Sequence, residues 1–303
     1  MDEKQYEEFI RLNKAKLGKS NTLLKGTVYL LPPLTATTNP TTATTNPTKG
    51  PEPGNAKVRT GVQPLFGEKY KNYEIKDDLL AGACFYLVSG HGGPDPGAIA
   101  KVNGNELHED EYAYDITLRL ARCLLEHNAT VHIIIQDPHD GIRDDKYLNN
   151  SKDETCMGKE IPQSKLLRLK QESNEINRIS FKSKAKYQRA IYIHLNSVSN
   201  KKQMDIFFYY QKNNAQSLRL AETMRKTFRT FYTKNRPGRG FSGTVSTRPL
   251  YVMRNTTPVS IYAELANMQN TSDQQRYVPV SGRQDFANWF CAGFIKDYQS
   301  SPH

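Results

Sequence analysis

From Tyr70 onward the chain alternates short apolar runs with stretches of helical periodicity, and that alternation leaves few folds open. Residues 84–88 and 131–135 are apolar runs of the length of buried strands. Between them Ala113, Ile116, Leu120 and Leu124 recur at helical spacing. Strands are then expected at 190–195 and 206–210, followed by a helix with Leu218, Ala221, Met224, Phe228 and Phe231 as its stripe. Residues 250–253 and 260–265 read as further strands, and Phe286, Trp289, Phe290 and Phe294 mark a closing helix. This order predicts a three-layer α/β sandwich, with a mostly parallel or mixed central sheet and helices on both faces.

The chain before this region is different. Residues 35–40, Thr-Ala-Thr-Thr-Asn-Pro, recur at 42–47, and Lys-Gly-Pro-Glu-Pro-Gly follows at 49–54. Such a stretch buries too little apolar surface to fold, so 35–56 is expected to be a linker between a small segment, 1–34, and one large catalytic domain, 57–303. In the small segment, residues 6–13 suggest a helix, and 25–32, Lys-Gly-Thr-Val-Tyr-Leu-Leu-Pro, suggest a turn, a strand and a proline stop. The pair resembles the second half of a LysM glycan-binding module. The missing first half and the missing apolar leader suggest a trimmed form of an exported protein. Residues 136–165 also break the rhythm. They are polar, carry Pro138, Gly141, Gly158 and Pro162, and are expected to line or cover a substrate groove.

No apolar run approaches the ~20 residues of a membrane helix. Lys and Arg outnumber Asp and Glu by 42 to 31, a net charge of +11, which favours a polyanionic partner such as nucleic acid, anionic lipid or an acidic wall polymer. Cys84, Cys123, Cys156 and Cys291 are scattered, which predicts separate thiols and no cysteine-held metal.

The polar residues that carry chemistry stand at strand ends. The run at 84–88 leads into Ser89-Gly90-His91-Gly92-Gly93-Pro94-Asp95-Pro96-Gly97-Ala98, His194 closes another apolar run, and Glu264 closes a third. In open α/β sheets the carboxyl edge of the strands is where ligands bind. Two imidazoles and a carboxylate form a common catalytic zinc set, with a further carboxylate serving as general base. Candidates for the remaining acid lie in Glu106-Leu107-His108-Glu109-Asp110-Glu111, at the amino end of the first long helix.

These blocks, continuing through Ile193-His194-Leu195-Asn196 and Arg254-Asn255-Thr256-Thr257-Pro258 to Glu264 and Asn270, resemble in order the signatures of the zinc-dependent N-acetylmuramoyl-L-alanine amidases. The resemblance implies the phosphorylase/hydrolase-like form of the sandwich. It further implies one zinc ion on His91, Glu109 and His194, Glu264 as general base and then acid, and Asn196 in support. The implied partner is peptidoglycan, cut between the lactyl group of N-acetylmuramic acid and L-alanine, in the periplasm or elsewhere in the envelope. An activating protein is left open. Two departures bear on substrate detail and rate: Val88-Ser89 stand where the family has Asp-Pro, and Ala266-Asn267 where it has Gly-Phe. Three rival readings are a zinc carboxypeptidase built on His108, Glu111 and His194, a non-catalytic envelope-binding protein, and a nucleic-acid binder suggested by charge and by Arg236-Pro237-Gly238-Arg239-Gly240. No base-reading motif accompanies that last run, so no nucleic acid is expected.

Overall fold

The structure, a computed structural model, describes residues 3–18, 22, 58–197, 202–235, 238 and 240–301. The predicted strand at 25–32 and the linker at 35–56 lie outside the described residues. The chain divides into two compact units, Met1–Asn55 and Ala56–His303. In the first, helix α1 (Glu3–Asn13) ends with the Asn13 side chain donating to the Phe9 carbonyl, 2.8 Å away.

The second unit opens with a ribbon of β1 (Thr60–Val62) and β2 (Asn72–Glu74) before β3 (Ala83–Ser89) enters the core. A hairpin of β4 (Ile99–Val102) and β5 (Asn105–His108) leads into α2 (Glu109–Glu126) and then β6 (Thr130–Ile133). Three two-residue strands follow: β7 (Ile135–Gln136), β8 (Thr155–Cys156) and β9 (Lys159–Glu160). After them come α3 (Lys165–Lys182), β10 (Tyr187–Asn196), β11 (Phe207–Tyr210), α4 (Ala215–Asn235) and β12 (Thr244–Thr247). The chain closes with α5 (Tyr251–Asn255), β13 (Val259–Asn267), α6 (Thr271–Tyr277) and α7 (Val280–Gln299). Among the described residues no helix is long and apolar enough to cross a membrane.

The six-stranded central sheet is mixed, in the order β12-β11-β13-β10-β3-β6. Strands β13, β10, β3 and β6 run parallel, while β11 pairs antiparallel with β13 and parallel with β12. Period-2 alternation divides each strand between two cores. Phe85, Leu87, Ile191, Ile193, Ile261 and Ala263 join the core under α2, α4 and α7, whereas Tyr86, Val88, Ala190 and Tyr192 face the core under α3 and α5. His194 and Glu264 follow the second set in phase, so the site belongs to the α3 side.

Three expectations change. The apolar run at 250–253 is not a strand: Leu250 caps helix α5 and residues 251–253 open it, because a run this short fills a helical turn as well as it fills a strand. The α4 stripe is rotated: Leu218 is 39% exposed, while Leu220, Ala221, Met224 and Phe228 are buried. Of residues 136–165, Lys165 alone lines the site cavity described below. Instead the Glu154 carboxylate accepts the Gly93 N–H at 2.8 Å, so this segment braces the glycine turn from behind.

Arg283 ties the same segment to the helical layer. It is fully buried, and its Nε donates to Asp115 in α2. Its Nη1 donates to the Val278 carbonyl at 2.6 Å, and its Nη2 to the carbonyls of Arg143 and Asp145 at 2.9 and 2.8 Å. Asp115 keeps Arg119, whose Nε donates to it at 2.8 Å, but the Val278 and Asp145 carbonyls lose the donor that Arg283 supplies, and each buried acceptor left without one costs about 1–3 kcal/mol. Arg283→Met is therefore expected to lower the unfolding free energy by about 3 kcal/mol in urea titrations. A loss below about 1 kcal/mol, the typical effect of a single mutation, would sink this account.

Candidate active site

The parallel register brings the predicted residues together. β10 lies between β3 and β13, with Ile193 opposite Ser89 and His194 opposite Glu264, and the pairing slips between His194 and Asn196 as the strands end. His91 follows β3 with φ of 66°, a left-handed conformation uncommon outside glycine. That turn is fixed by Asp95, whose carboxylate meets His91 Nδ1 at 2.9 Å, and Arg168 from α3 clamps the same carboxylate.

Glu109 is the first residue of α2 and is 4% exposed. Its Oε2 accepts the Ala98 N–H at 3.0 Å, and its Oε1 accepts the Leu195 N–H at 3.1 Å. The same Oε1 meets His194 Nδ1 at 2.9 Å and His91 Nε2 at 3.3 Å. One donor atom from each of His91, Glu109 and His194 lies within 4.8 Å of the others. The close approach depends on glycine. A Cβ on Gly90 would fall 2.2 Å from His194 Cε1, and one on Gly97 would fall 2.7 Å from His91 Cδ2.

The electrostatics are those of a paired site. Burial pushes the Glu109 carboxyl up, but hydrogen bonds from His194 and His91 outweigh it and hold the group below the usual carboxylate range. Burial opposes a charged His91, yet its bonds to Asp95 and Glu109 prevail and raise it to about 10. Burial keeps His194 low, with its ring stacked on Tyr262 at 4.4 Å between centroids. Glu264 is 7% exposed, and its Oε2 is buried without a hydrogen-bond partner. Burial first, and then the Glu109 charge, pushes it up to about 8.

All four residues line a cavity of about 320 Å³. Asn196 lines it too; its backbone carbonyl accepts the Met268 N–H at 2.7 Å. The acids beside Glu109 turn elsewhere. Glu111 pairs with Arg143 at 2.7 Å, and His108 Nε2 faces Glu106, so the His108–Glu111–His194 set of a carboxypeptidase does not assemble.

Four lining residues carried no signal in the sequence: Arg168 and Glu172 from α3, Tyr262 from β13, and Arg248. Glu172, pushed up to about 8 by burial, shares the inner face of α3 with Leu169, Ile176 and Ile179, which pack on the second core.

Solved structures share this fold. The N-acetylmuramoyl-L-alanine amidase AmiC2 of Nostoc punctiforme is 21% identical, with 73% of this chain and 99% of that chain covered and a TM-score of 0.52. The CwlD amidase from Clostridioides difficile, solved in complex with the GerS lipoprotein, is 18% identical, with coverages of 72% and 100% and a TM-score of 0.53. The catalytic domain of CwlV, an N-acetylmuramoyl-L-alanine amidase from Bacillus (Paenibacillus) polymyxa var. colistinus, is 17% identical, with coverages of 72% and 99% and a TM-score of 0.51. No curated protein matches the sequence. The family model for N-acetylmuramoyl-L-alanine amidases matches residues 86–296, well over half of the chain and every residue of the site just described, and the chain belongs to that family.

Proposed function

We propose that this chain is a zinc-dependent enzyme that hydrolyses the amide between the lactyl group of N-acetylmuramic acid and L-alanine in peptidoglycan, outside the cytoplasm. The observation that carries this reading is the convergence of His91, Glu109 and His194 on one point, with the unpartnered carboxyl of Glu264 across the register from His194. The donor set fits zinc: two imidazoles and a carboxylate, close enough to share one ion and open to a cavity on the remaining side. Zinc, when bound, would polarise the lactyl carbonyl and lower the pKa of the attacking water.

The chain's own groups do the rest. Glu264 takes a proton at Oε2 as the water attacks, then returns it to the departing amine of L-alanine. Burial raises the proton affinity of Glu264, which makes it a stronger base once ionised and lets it hold the proton until the amine departs. Lys165 and Arg248 line the cavity and suit the carboxylates of a stem peptide. The net charge of +11 suits an anionic envelope. A position for the Asn196 side chain in support of the ligands accords with its place at the end of β10.

Digestion of purified peptidoglycan with and without a chelator tests the reading. Stem peptides beginning with a free L-alanine amine are expected, and they vanish with chelator. Release of terminal amino acids alone would return the peptidase reading, and zinc binding without any release would favour a wall-binding protein. Asp95 should matter at one remove, because carboxylates that orient ligating histidines tune metal affinity. Asp95→Asn is expected to weaken zinc binding by about 10–100-fold in chelator competition. Unchanged affinity would show that His91 needs no such orientation.

A further inference from the structure

A second group of metal-binding side chains meets at the far end of α2. Cys123 and His127 stand four residues apart at its carboxyl end, on one helical face, and Cys291 approaches from α7. One donor atom from each lies within 4.8 Å of the others. The Asp77 carboxylate grips His127 Nδ1 with both oxygens, at 2.8 and 2.9 Å, and so leaves Nε2 for a ligand. Carboxylates hold metal-bound histidines in this way.

The surroundings suit an ion as well. Cys291 is buried, while Cys123 and His127 open on a cleft of about 300 Å³, which gives an entry path and room for water. Glu126 lines the same cleft but is occupied by Lys76 at 2.7 Å and Arg122 at 3.0 Å. Ligand atoms around tetrahedral zinc sit roughly 3.5 Å apart, given bonds of about 2.0–2.3 Å, so only a small closure is needed. Cys123 and His127 stand 14 and 18 residues after Glu109, which sets this group about 21–27 Å from it along the helix.

We propose that Cys123, His127 and Cys291 form a second metal site, a two-thiolate, one-imidazole centre for zinc or a similarly thiophilic divalent cation, with water from the cleft as fourth ligand. The softness of the thiolates excludes calcium and magnesium as natural occupants. A bound ion would tie the end of α2 to α7.

Cobalt titration of the full chain, reduced and freed of metal, tests this independently of amidase activity. The His91, Glu109 and His194 set contains no sulfur, so a near-ultraviolet sulfur-to-cobalt charge-transfer band reports the second site alone. The band is expected in the wild type and lost in Cys123→Ser, with far-ultraviolet circular dichroism unchanged and zinc content lower by one ion per chain. His127→Gln, which keeps both thiols, is expected to weaken cobalt binding at least about tenfold. Absence of the band in the reduced wild type would overturn the proposal, and so would a band that survives Cys123→Ser. A Cys123–Cys291 disulfide that forms even with zinc in excess would also overturn it.

Discussion

Glu264→Gln is expected to slow amide hydrolysis by about a thousandfold while leaving zinc binding and fold intact. General acid–base groups contribute about 10²–10⁴ to rate, and Glu264 is proposed to act twice, so the upper half of that range applies. The substitution preserves volume, and no hydrogen bond is lost at Oε2, because that atom has no partner. Its neighbours in β13 stay packed as before. The pH profile should move with it. Glu264 must be ionised to accept a proton, so the wild-type rate rises with pH on an acid limb that belongs to this carboxyl. Burial and the Glu109 charge set that group near 8 without metal, and a nearby dication shifts the limb lower. In the variant the limb should disappear from the residual rate. A variant with wild-type turnover and the same acid limb would remove Glu264 from the reaction.

The sequence disclosed the site unevenly, for physical reasons. His91, His194 and Glu264 were legible because each ends an apolar run, and parallel strands deliver their carboxyl ends to one edge. The alternation that fills both cores also fixes the facing of His194 and Glu264, since each continues the phase of Tyr192 and Tyr262. Choosing Glu109 over Asp110 and Glu111 required the family resemblance. Spacing along a chain does not reveal that β4 and β5 turn the start of α2 so that Ala98 and Leu195 donate to Glu109, while Arg143 claims Glu111.

Helix α3 was harder still. Its buried residues are Glu172, Ser173, Glu175 and Ile176, with Leu169 and Ile179 half-buried beside them, so the face it packs inward mixes charge with apolar groups. With it went Lys165, Arg168, Leu169 and Glu172, which it gives to the cavity. The long segment at 136–165 gives the cavity Lys165 from its end. Its polar composition suggested a cover for the groove, yet its charges are spent inward, on Gly93 through Glu154 and on Glu111 through Arg143. Scattered spacing hid Cys123 and Cys291 as well, because α2 and α7 bring them together only in the fold.

Glu109→Gln should separate binding from chemistry in the opposite sense to Glu264→Gln: zinc is lost and activity goes with it. The amide keeps the volume, and its oxygen can still accept the Ala98 or Leu195 N–H, so the turn before α2 retains a partner. What disappears is the anionic ligand. The charge that stabilises His91 and His194 in the metal-free protein goes with it. Groups that only orient a ligand cost about 10–100-fold in metal affinity when removed. Removing a ligand should exceed that range, so a loss of more than about a hundredfold is expected, with no detectable stem-peptide release at micromolar zinc. The measurement belongs in a Cys123→Ser background, where the ion proposed at the other end of α2 does not enter the count. Dialysed protein is then assayed for zinc content and by chelator competition, beside Glu264→Gln in the same background. The expected contrast is an empty, inactive Glu109→Gln against a loaded, inactive Glu264→Gln. If Glu109→Gln holds zinc as tightly as its parent, the third ligand is another group, and Glu172, the other buried carboxyl on this cavity, becomes the one to change.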